Sequence, residues 1–227
     1  MAGDHDWLGN DAKTRVERAV VALEAQTSAE LVVTVRQSSG HYRAADLSFA
    51  SLVAGLGLFV YVYHPAEFAD DAVPPALLVL YACAAFFCAQ VPALRRRFVR
   101  GSTLRDNVRR AALTAFHEQR IDGTSARTGI LIYVSLFERM VEVVPDVGVD
   151  AKKLGVEFGK AVVEVTAAIR GDGIRQLEQG LLQMAAPLAR ELPRADDDVN
   201  ELPDGLLSWC ARRGVPRTSC SCSASAR

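Results

Sequence analysis

Two long apolar stretches in the middle of the chain constrain its fold more than any other feature. The first covers residues 47–63 and the second covers residues 73–94, and neither contains Lys, Arg, Asp or Glu. A helix needs roughly 20 mostly apolar residues to cross the hydrocarbon layer of a bilayer, whereas buried helices of soluble proteins usually interrupt such runs with polar residues. The pair therefore predicts a two-helix transmembrane hairpin, and two buried helices of a soluble core are the alternative.

The charges that flank the two spans predict their orientation. The link at residues 64–71 carries three acids and no Lys or Arg, whereas Arg36, Arg43 and the run 95–97 lie beyond the outer ends. Positive residues near the ends of spans stay on the cytoplasmic side. We therefore expect a two-pass protein in the lipid bilayer of the cell inner (plasma) membrane, with both termini cytoplasmic. The polar N-terminus does not have the pattern of a cleaved signal peptide.

Length, charge and cysteine usage narrow the classes of function. The 227 residues are enough for one domain plus the hairpin. The formal net charge of −1 gives no overall basic field, so nucleic acid is not an expected partner. The five Cys do not have the spacing of a disulfide framework, and a cytoplasmic location would keep them reduced.

The rest of the chain predicts an α/β domain that the hairpin interrupts. A nearly continuous apolar strand at 129–136 needs cover on both of its faces, so the segment before the hairpin is expected to fold back onto the segments after it. Asp150 and Asp172 stand where N-caps are expected. The predicted elements are helix 11–26, strand 30–36, helix 103–117, antiparallel strands 129–136 and 141–144, and helices 150–170 and 172–191.

These elements predict four regions along the chain. Residues 1–43 and 98–193 form the two parts of the α/β domain, residues 44–97 form the hairpin, and residues 194–227 form a disordered tail. The tail begins with an acidic, Pro-containing linker. From about residue 206 it contains Trp, Arg, Ser and Cys but no acids, which indicates either a short cationic tail or a terminus altered by a reading-frame change.

The segments after the hairpin resemble a known family, the TPM domain, which is named after a thylakoid lumen protein, a photosystem II repair factor and a nematode receptor regulator. Residues 127–135 (RTGILIYVS), 138–144 (ERMVEVV) and 146–149 (DVGV) are similar to the family's glycine-led aliphatic strand, charged turn, second strand and glycine-containing loop. Residues 27–33 (TSAELVV) are similar to its first strand. The resemblance covers about 11–37 and 122–192.

The resemblance implies a three-layer α/β/α sandwich, here split by the inserted transmembrane hairpin. Some members of the family have phosphatase activity and bind divalent metals, and others act as binding or assembly modules. Many members place the domain outside the cytoplasm, whereas this one is expected inside. Two functions stay open: a cytoplasmic TPM-like domain that binds a protein partner in a membrane complex, and a divalent-metal-dependent phosphatase.

An acidic group around the loop after the second strand is the candidate metal site. Asp146 and Asp150 bracket Gly148, Glu142 precedes them on the strand, and Asp122 approaches from the loop before the first strand of the pair. Carboxylates suit Ca²⁺ or Mg²⁺, and such an ion would hold a phosphate and polarise it for attack by water. The alternative is that Asp146 is a turn residue, Asp150 a helix cap and Glu142 a solvated side chain.

Arg127 and Thr128 form a candidate anion-binding site. They belong to a loop of small polar residues at 124–128, in which hydroxyls and one guanidinium would contact the anion. The loop lacks the Gly-Lys-Ser/Thr element of a P-loop. A solvated loop is the alternative.

Overall fold

A computed structural model gives a mixed α/β protein that is mostly helical, and it describes residues 10–64, 71–150, 153–171, 173–194 and 208–210. The chain divides into an α/β unit, Met1–Ser39 with Asp106–Arg227, and a hairpin unit, Gly40–Arg105. In chain order the elements are α1 (Asn10–Glu24), β1 (Glu30–Arg36), α2 (Arg43–Tyr63), α3 (Val73–Gln90), α4 (Pro92–Arg97), α5 (Gly101–Glu118), β2 (Gly129–Ser135), β3 (Met140–Pro145), α6 (Gly155–Arg170), α7 (Ile174–Glu191) and β4 (Ser208–Cys210).

The sheet joins strands that lie on opposite sides of the hairpin in sequence. Strand β1 pairs in parallel with β2, and β2 pairs antiparallel with β3. The predicted bounds of β1 are confirmed, as is the antiparallel pairing of the two later strands. The prediction that the N-terminal segment folds back onto the later segments is also confirmed, because β1 is the neighbour of β2 and α1 packs against α7.

Both faces of the sheet are apolar. The reason is that β1 and β2 are apolar at most positions, and successive side chains of a strand point to opposite sides. On one face, residues 31, 33 and 35 of β1 and 130, 132 and 134 of β2 pack with α1, α6 and α7. On the other face, Val32, Leu131 and Tyr133 pack with Ile121 and the apolar side of α5. Every residue of β2 is buried. The strand that the sequence predicts to need cover on both faces therefore has it.

The two apolar stretches form helices that pack along each other and present large side chains outward. Both α2 and α3 are long and apolar enough to cross a membrane. Only 17% of the most apolar window of α2 and 11% of that of α3 are buried within the chain. Gly57 lies on the packed side, where an added Cβ would come within 2.7 Å of Leu80 Cδ2. Within the described residues, most of each window is therefore not enclosed as a helix of a soluble core would be.

In the hairpin unit, an arginine–aspartate pair joins α4 to the first turn of α2. Arg95 Nε donates a hydrogen bond to Asp46 Oδ1 at 2.7 Å, and Arg95 Nη2 donates to Asp46 Oδ2. The rings of Phe49 and Phe98 pack edge to face with centroids 5.3 Å apart. These two contacts hold the segment after α3 against the first turns of α2.

The second span ends earlier than the sequence predicts. The expected span runs over residues 73–94, but α3 ends at Gln90 and the separate helix α4 begins at Pro92. Val91 adopts an extended conformation between them, with ψ at 95°. The reason is that proline disfavours the helical region for the residue before it.

The start of α6 also differs from the prediction. The predicted helix begins at Asp150, whereas α6 begins at Gly155 with Leu154 at its N-cap. Asp150 instead accepts, through its carbonyl, hydrogen bonds from the backbone N–H groups of Lys153 and Leu154 in a preceding turn. The prediction that Asp150 caps the helix is therefore wrong. Asp172, the other predicted cap, lies outside the described residues.

One strand occurs in the stretch that is predicted to be a disordered tail. Strand β4 pairs in parallel with β1, with Thr34 opposite Ser208 and Arg36 opposite Cys210. It occupies the edge of β1 that β2 leaves open, where backbone groups would otherwise lack partners. Within the stretch 194–227 this element corrects the prediction, and the structure otherwise describes only Arg194 there.

The close packing of α6 on α7 depends on a glycine, which gives a stability test. A Cβ at Gly180 would lie 2.6 Å from Val165 Cγ2 and 3.2 Å from Val165 N, so Gly180→Ala should lower the free energy of unfolding by about 1–3 kcal/mol. Gly159→Ala is the control, because nothing lies within 4 Å of its Cβ position. It should raise stability by about 0.5–1 kcal/mol. Chemical denaturation in detergent measures both variants, and equal effects would contradict the close contact.

Candidate functional site

The predicted metal ligand Asp146 lies buried beside an arginine. Its side chain is 3% exposed, and Arg127 Nε lies 3.0 Å from its Oδ2. The backbone N–H of Val147 donates to Oδ1 at 2.7 Å. The approach of Arg127 to Oδ2 does not have hydrogen-bond geometry, so among the described residues this oxygen has an ionic neighbour but no donor. The Asp146 carboxylate is therefore neutralised from within the chain.

Backbone contacts between two loops fix this pair. Asp146 N donates to Gly129 O at 2.8 Å, and Gly148 N donates to Arg127 O at 2.9 Å. A side chain at Gly148 would place its Cβ 2.4 Å from Arg127 O, so only glycine fits there. Arg127 itself has φ at 55°, in the left-handed region. The loop before β2 and the loop after β3 thus hold Arg127 next to Asp146.

Among the described residues, the other predicted metal ligands do not form a group of three with Asp146. Asp122 Oδ2 lies 3.2 Å from His117 Nδ1, at the end of α5. Glu142 is opposite Tyr133 in the pairing of β2 with β3. Within the part of the chain that the structure describes, no three His, Cys, Asp or Glu side chains are grouped to hold a metal ion. The predicted Ca²⁺ or Mg²⁺ site of Asp122, Glu142, Asp146 and Asp150 is therefore not assembled there.

The predicted anion-binding groups are occupied within the chain. Thr128 Oγ1 donates to Ser28 O at 3.1 Å, and Thr128 N donates to Thr124 Oγ1 at 3.1 Å. Both threonines are buried. Thr128 thus connects this loop to the segment before β1, and Arg127, which is half-exposed, connects it to the loop after β3.

A polar group that the sequence analysis missed lies at the carboxyl ends of β1 and β2. We call Ser39, Tyr133, Ser135 and Glu138 the Glu138 network. Glu138 is 4% exposed, and it accepts hydrogen bonds from Ser39 N at 2.8 Å and from Ser135 Oγ. Ser39 Oγ donates to Ser135 Oγ at 2.7 Å and lies 3.2 Å from the Tyr133 hydroxyl.

The position and chemistry of the Glu138 network make it a candidate functional group. Open α/β sheets bind ligands outside the carboxyl ends of parallel strands. Burial raises the pKa of Tyr133, so its hydroxyl stays protonated well above neutral pH. The network also holds Ser39, the last residue of the α/β unit before the hairpin unit. It can therefore order the segment that leads into the hairpin unit.

The Glu138 network was missed because its members are far apart in sequence. Ser39 and Ser135 are separated by 96 residues, and only the pairing of β1 with β2 brings them together. Glu138 stands in a predicted tight turn, where a solvated carboxylate is the ordinary expectation. A useful signal was available: both apolar strands end in a polar residue, Arg36 and Ser135, and parallel pairing places these two ends side by side.

Comparisons with known proteins give a likeness of fold. The chain matches no family model and no curated protein. Its structure is similar to the NMR structure of BA42 protein from the psychrophilic bacterium Bizionia argentinensis, with a TM-score of 0.54 and 16% sequence identity. The alignment covers 91% of this chain and 99% of that chain. At this identity the likeness concerns the fold alone.

The buried carboxylate of Glu138 should contribute strongly to stability. Hydrogen bonds to a charged group are each worth about 1.5–3 kcal/mol, so Glu138→Gln should lower the free energy of unfolding by about 2–3 kcal/mol. Glu164→Gln makes the same chemical change at an exposed position of α6 and should change it by less than about 0.5 kcal/mol. Urea denaturation followed by circular dichroism compares the two, and a Glu138→Gln variant as stable as its control would contradict the network.

Removing Arg127 and removing Asp146 should lower the thermal stability of the protein by different amounts. Arg127→Gln leaves a buried carboxylate without its cation, whereas Asp146→Asn leaves a half-exposed guanidinium that water can solvate. Arg127→Gln should therefore lower Tm more than Asp146→Asn does. Thermal unfolding with and without millimolar Ca²⁺ or Mg²⁺ is the measurement. A metal-induced rise in Tm that Asp146→Asn removes would show instead that the carboxylate exchanges Arg127 for a cation.

Proposed function

We propose that this chain is a two-pass integral membrane protein whose cytoplasmic α/β unit acts as a binding or assembly module for a membrane complex. Helices α2 and α3 span the inner (plasma) membrane, and both termini lie in the cytoplasm. The α/β unit is, in this proposal, a TPM-like three-layer α/β/α sandwich. Its partners are the bilayer and a protein of the same membrane.

The outward-facing apolar surface of the hairpin unit carries this proposal. Leu56 of α2 is 62% exposed, and Leu78 and Phe86 of α3 are 72% and 67% exposed. Leaving apolar surface in water costs about 25 cal/mol per Å², and the helices of a soluble core would bury these side chains. A bilayer removes them from water without any further protein contact.

The dimensions of the two helices support the same proposal. At 1.5 Å per residue, the 21 residues of α2 and the 18 of α3 give lengths of about 32 and 27 Å. These lengths match a hydrocarbon layer of roughly 30 Å. Helices also satisfy their backbone hydrogen bonds internally, which a membrane span requires. The close approach at Gly57 is typical of helix pairs in membranes.

The arrangement of the α/β unit supports a binding module more than a metal-dependent phosphatase. Apolar clusters on both faces of the sheet are consistent with helical layers on each side. The phosphatase alternative needs a divalent ion to hold the phosphate. Among the described residues no group of three metal-ligating side chains supports that chemistry.

A charge on the outer face of α2 distinguishes a membrane span from a soluble helix. Leu56→Arg should cost about 3 kcal/mol of insertion free energy near the middle of a span, whereas the same change at an exposed site of a soluble protein costs little. Leu113→Arg is the control, because Leu113 is 41% exposed on α5. Alkaline carbonate extraction of membranes should recover less of the Leu56→Arg variant than of wild type, and Leu113→Arg should behave like wild type. Release of the wild-type chain by carbonate would contradict the proposal.

The proposed orientation predicts opposite accessibility for the link and the α/β unit. In a chain whose five native Cys are replaced by Ser, Asp71→Cys should react with a membrane-impermeant maleimide on intact cells. Arg175→Cys, at an exposed position of α7, should react only after permeabilisation. The reverse result would place the α/β unit outside the cytoplasm.

A further inference from the structure

The hairpin unit carries all of its arginines at or beyond the outer ends of the apolar helices. It contains six Arg and no Lys, and none of the six lies between residues 44 and 94. Three of its four acids lie in the link at residues 67–71, so Asp46 is the only acid outside that link. The two ends of the hairpin therefore differ strongly in charge.

In the structure, Arg95 neutralises the negative charge of Asp46. The Asp46 side chain is 10% exposed, and both of its oxygens accept hydrogen bonds from Arg95. The same contact, with the packing of Phe49 on Phe98, brings α4 beside the first turn of α2. Arg43 begins α2, so it lies at the same end of the hairpin as the arginines that follow α4. Arg95 thus neutralises the one acid of the hairpin unit that lies outside the link.

We propose that the basal arginine cluster, defined as Arg43, Arg97, Arg100 and Arg105, binds the phosphate groups of anionic phospholipids. All four side chains are exposed, and among the residues that the structure describes they form no ion pair. The guanidinium group offers several N–H donors in a planar fork that matches phosphate oxygens. This proposal rests on the proposed membrane insertion of α2 and α3.

The position of the cluster favours a lipid surface over a single dissolved anion. Clusters of four to eight basic residues directly beside a span are the usual signature of anionic-lipid binding. Arg97 ends α4, seven residues after α3 ends at Gln90, and Arg100 and Arg105 follow within the next eight residues. Several headgroups on one surface can occupy such a cluster together, and this multivalent contact strengthens binding beyond that of one phosphate.

The test uses the full chain in a neutral detergent, titrated with phosphatidylglycerol or with phosphatidylcholine. Native mass spectrometry measures the lipid that stays bound. The variant Arg97→Gln/Arg100→Gln/Arg105→Gln should bind phosphatidylglycerol about 100-fold more weakly, because each basic residue near an anionic surface strengthens binding roughly fivefold. The variant with Lys at these three positions keeps the charge and should keep most of the binding.

A matched control removes three positive charges from the α/β unit. Arg18→Gln/Lys160→Gln/Arg175→Gln changes three exposed cations and should leave the affinity for phosphatidylglycerol unchanged. Millimolar inorganic phosphate should not displace the lipid. Equal binding of the two lipids, equal loss in the two triple Gln variants, or displacement by phosphate would each overturn the inference.

The outcome also separates this inference from the function on which it rests. A wild-type chain that resists carbonate extraction but shows no preference for phosphatidylglycerol overturns the lipid inference alone. A wild-type chain that carbonate releases overturns both proposals. Preference for phosphatidylglycerol that is lost in the Arg97/Arg100/Arg105 variant and kept in the control supports the arginine cluster as the binding site.

Discussion

The α/β unit depends on the parallel pairing of β1 with β2. These strands are separated in sequence by the whole hairpin unit, and the register runs from Glu30 opposite Gly129 to Arg36 opposite Ser135. Parallel strands cannot be joined by a tight turn and need a long crossover connection. The hairpin unit and α5 lie within that connection. A proposed membrane anchor with two spans suits this position, because an even number of crossings returns the chain to the side from which it left.

The buried carboxylates of Asp146 and Glu138 lie at opposite ends of β2, and each carboxylate is stabilised in a different way. At the amino end of β2, Asp146 lies against Arg127. At the carboxyl end, Glu138 accepts hydrogen bonds from Ser39 and Ser135. A buried charge without partners would be costly, so both sites order the loops around them. The second site also holds the segment where the chain leaves the α/β unit for the hairpin unit.

Local patterns predicted most elements, because periodicity and apolar runs are properties of neighbouring residues. The bounds of β1 and the helix pairing of the two apolar stretches follow from such patterns. The boundary errors arise from short-range effects that periodicity does not contain: Pro92 ends a helix that hydropathy alone extends, and Asp150 belongs to a turn instead of a cap. The candidate site was harder to predict, since the acidic residues close in sequence around Gly148 do not form a group of three among the described residues, and Asp146 lies against Arg127 instead.

The sequence by itself determined most of the elements and the two apolar helices. A long run of uncharged, apolar side chains is favourable only where those side chains leave water. The sequence also determined the uneven charge of the hairpin, since composition alone decides which end is basic. Only the tertiary structure decided which polar groups meet. Ser39 joins Ser135 and Glu138 through strand pairing, and Asp46 joins Arg95 through helix packing. Such contacts join residues 49 to 99 positions apart, and no local pattern records which distant partner will satisfy a buried charge.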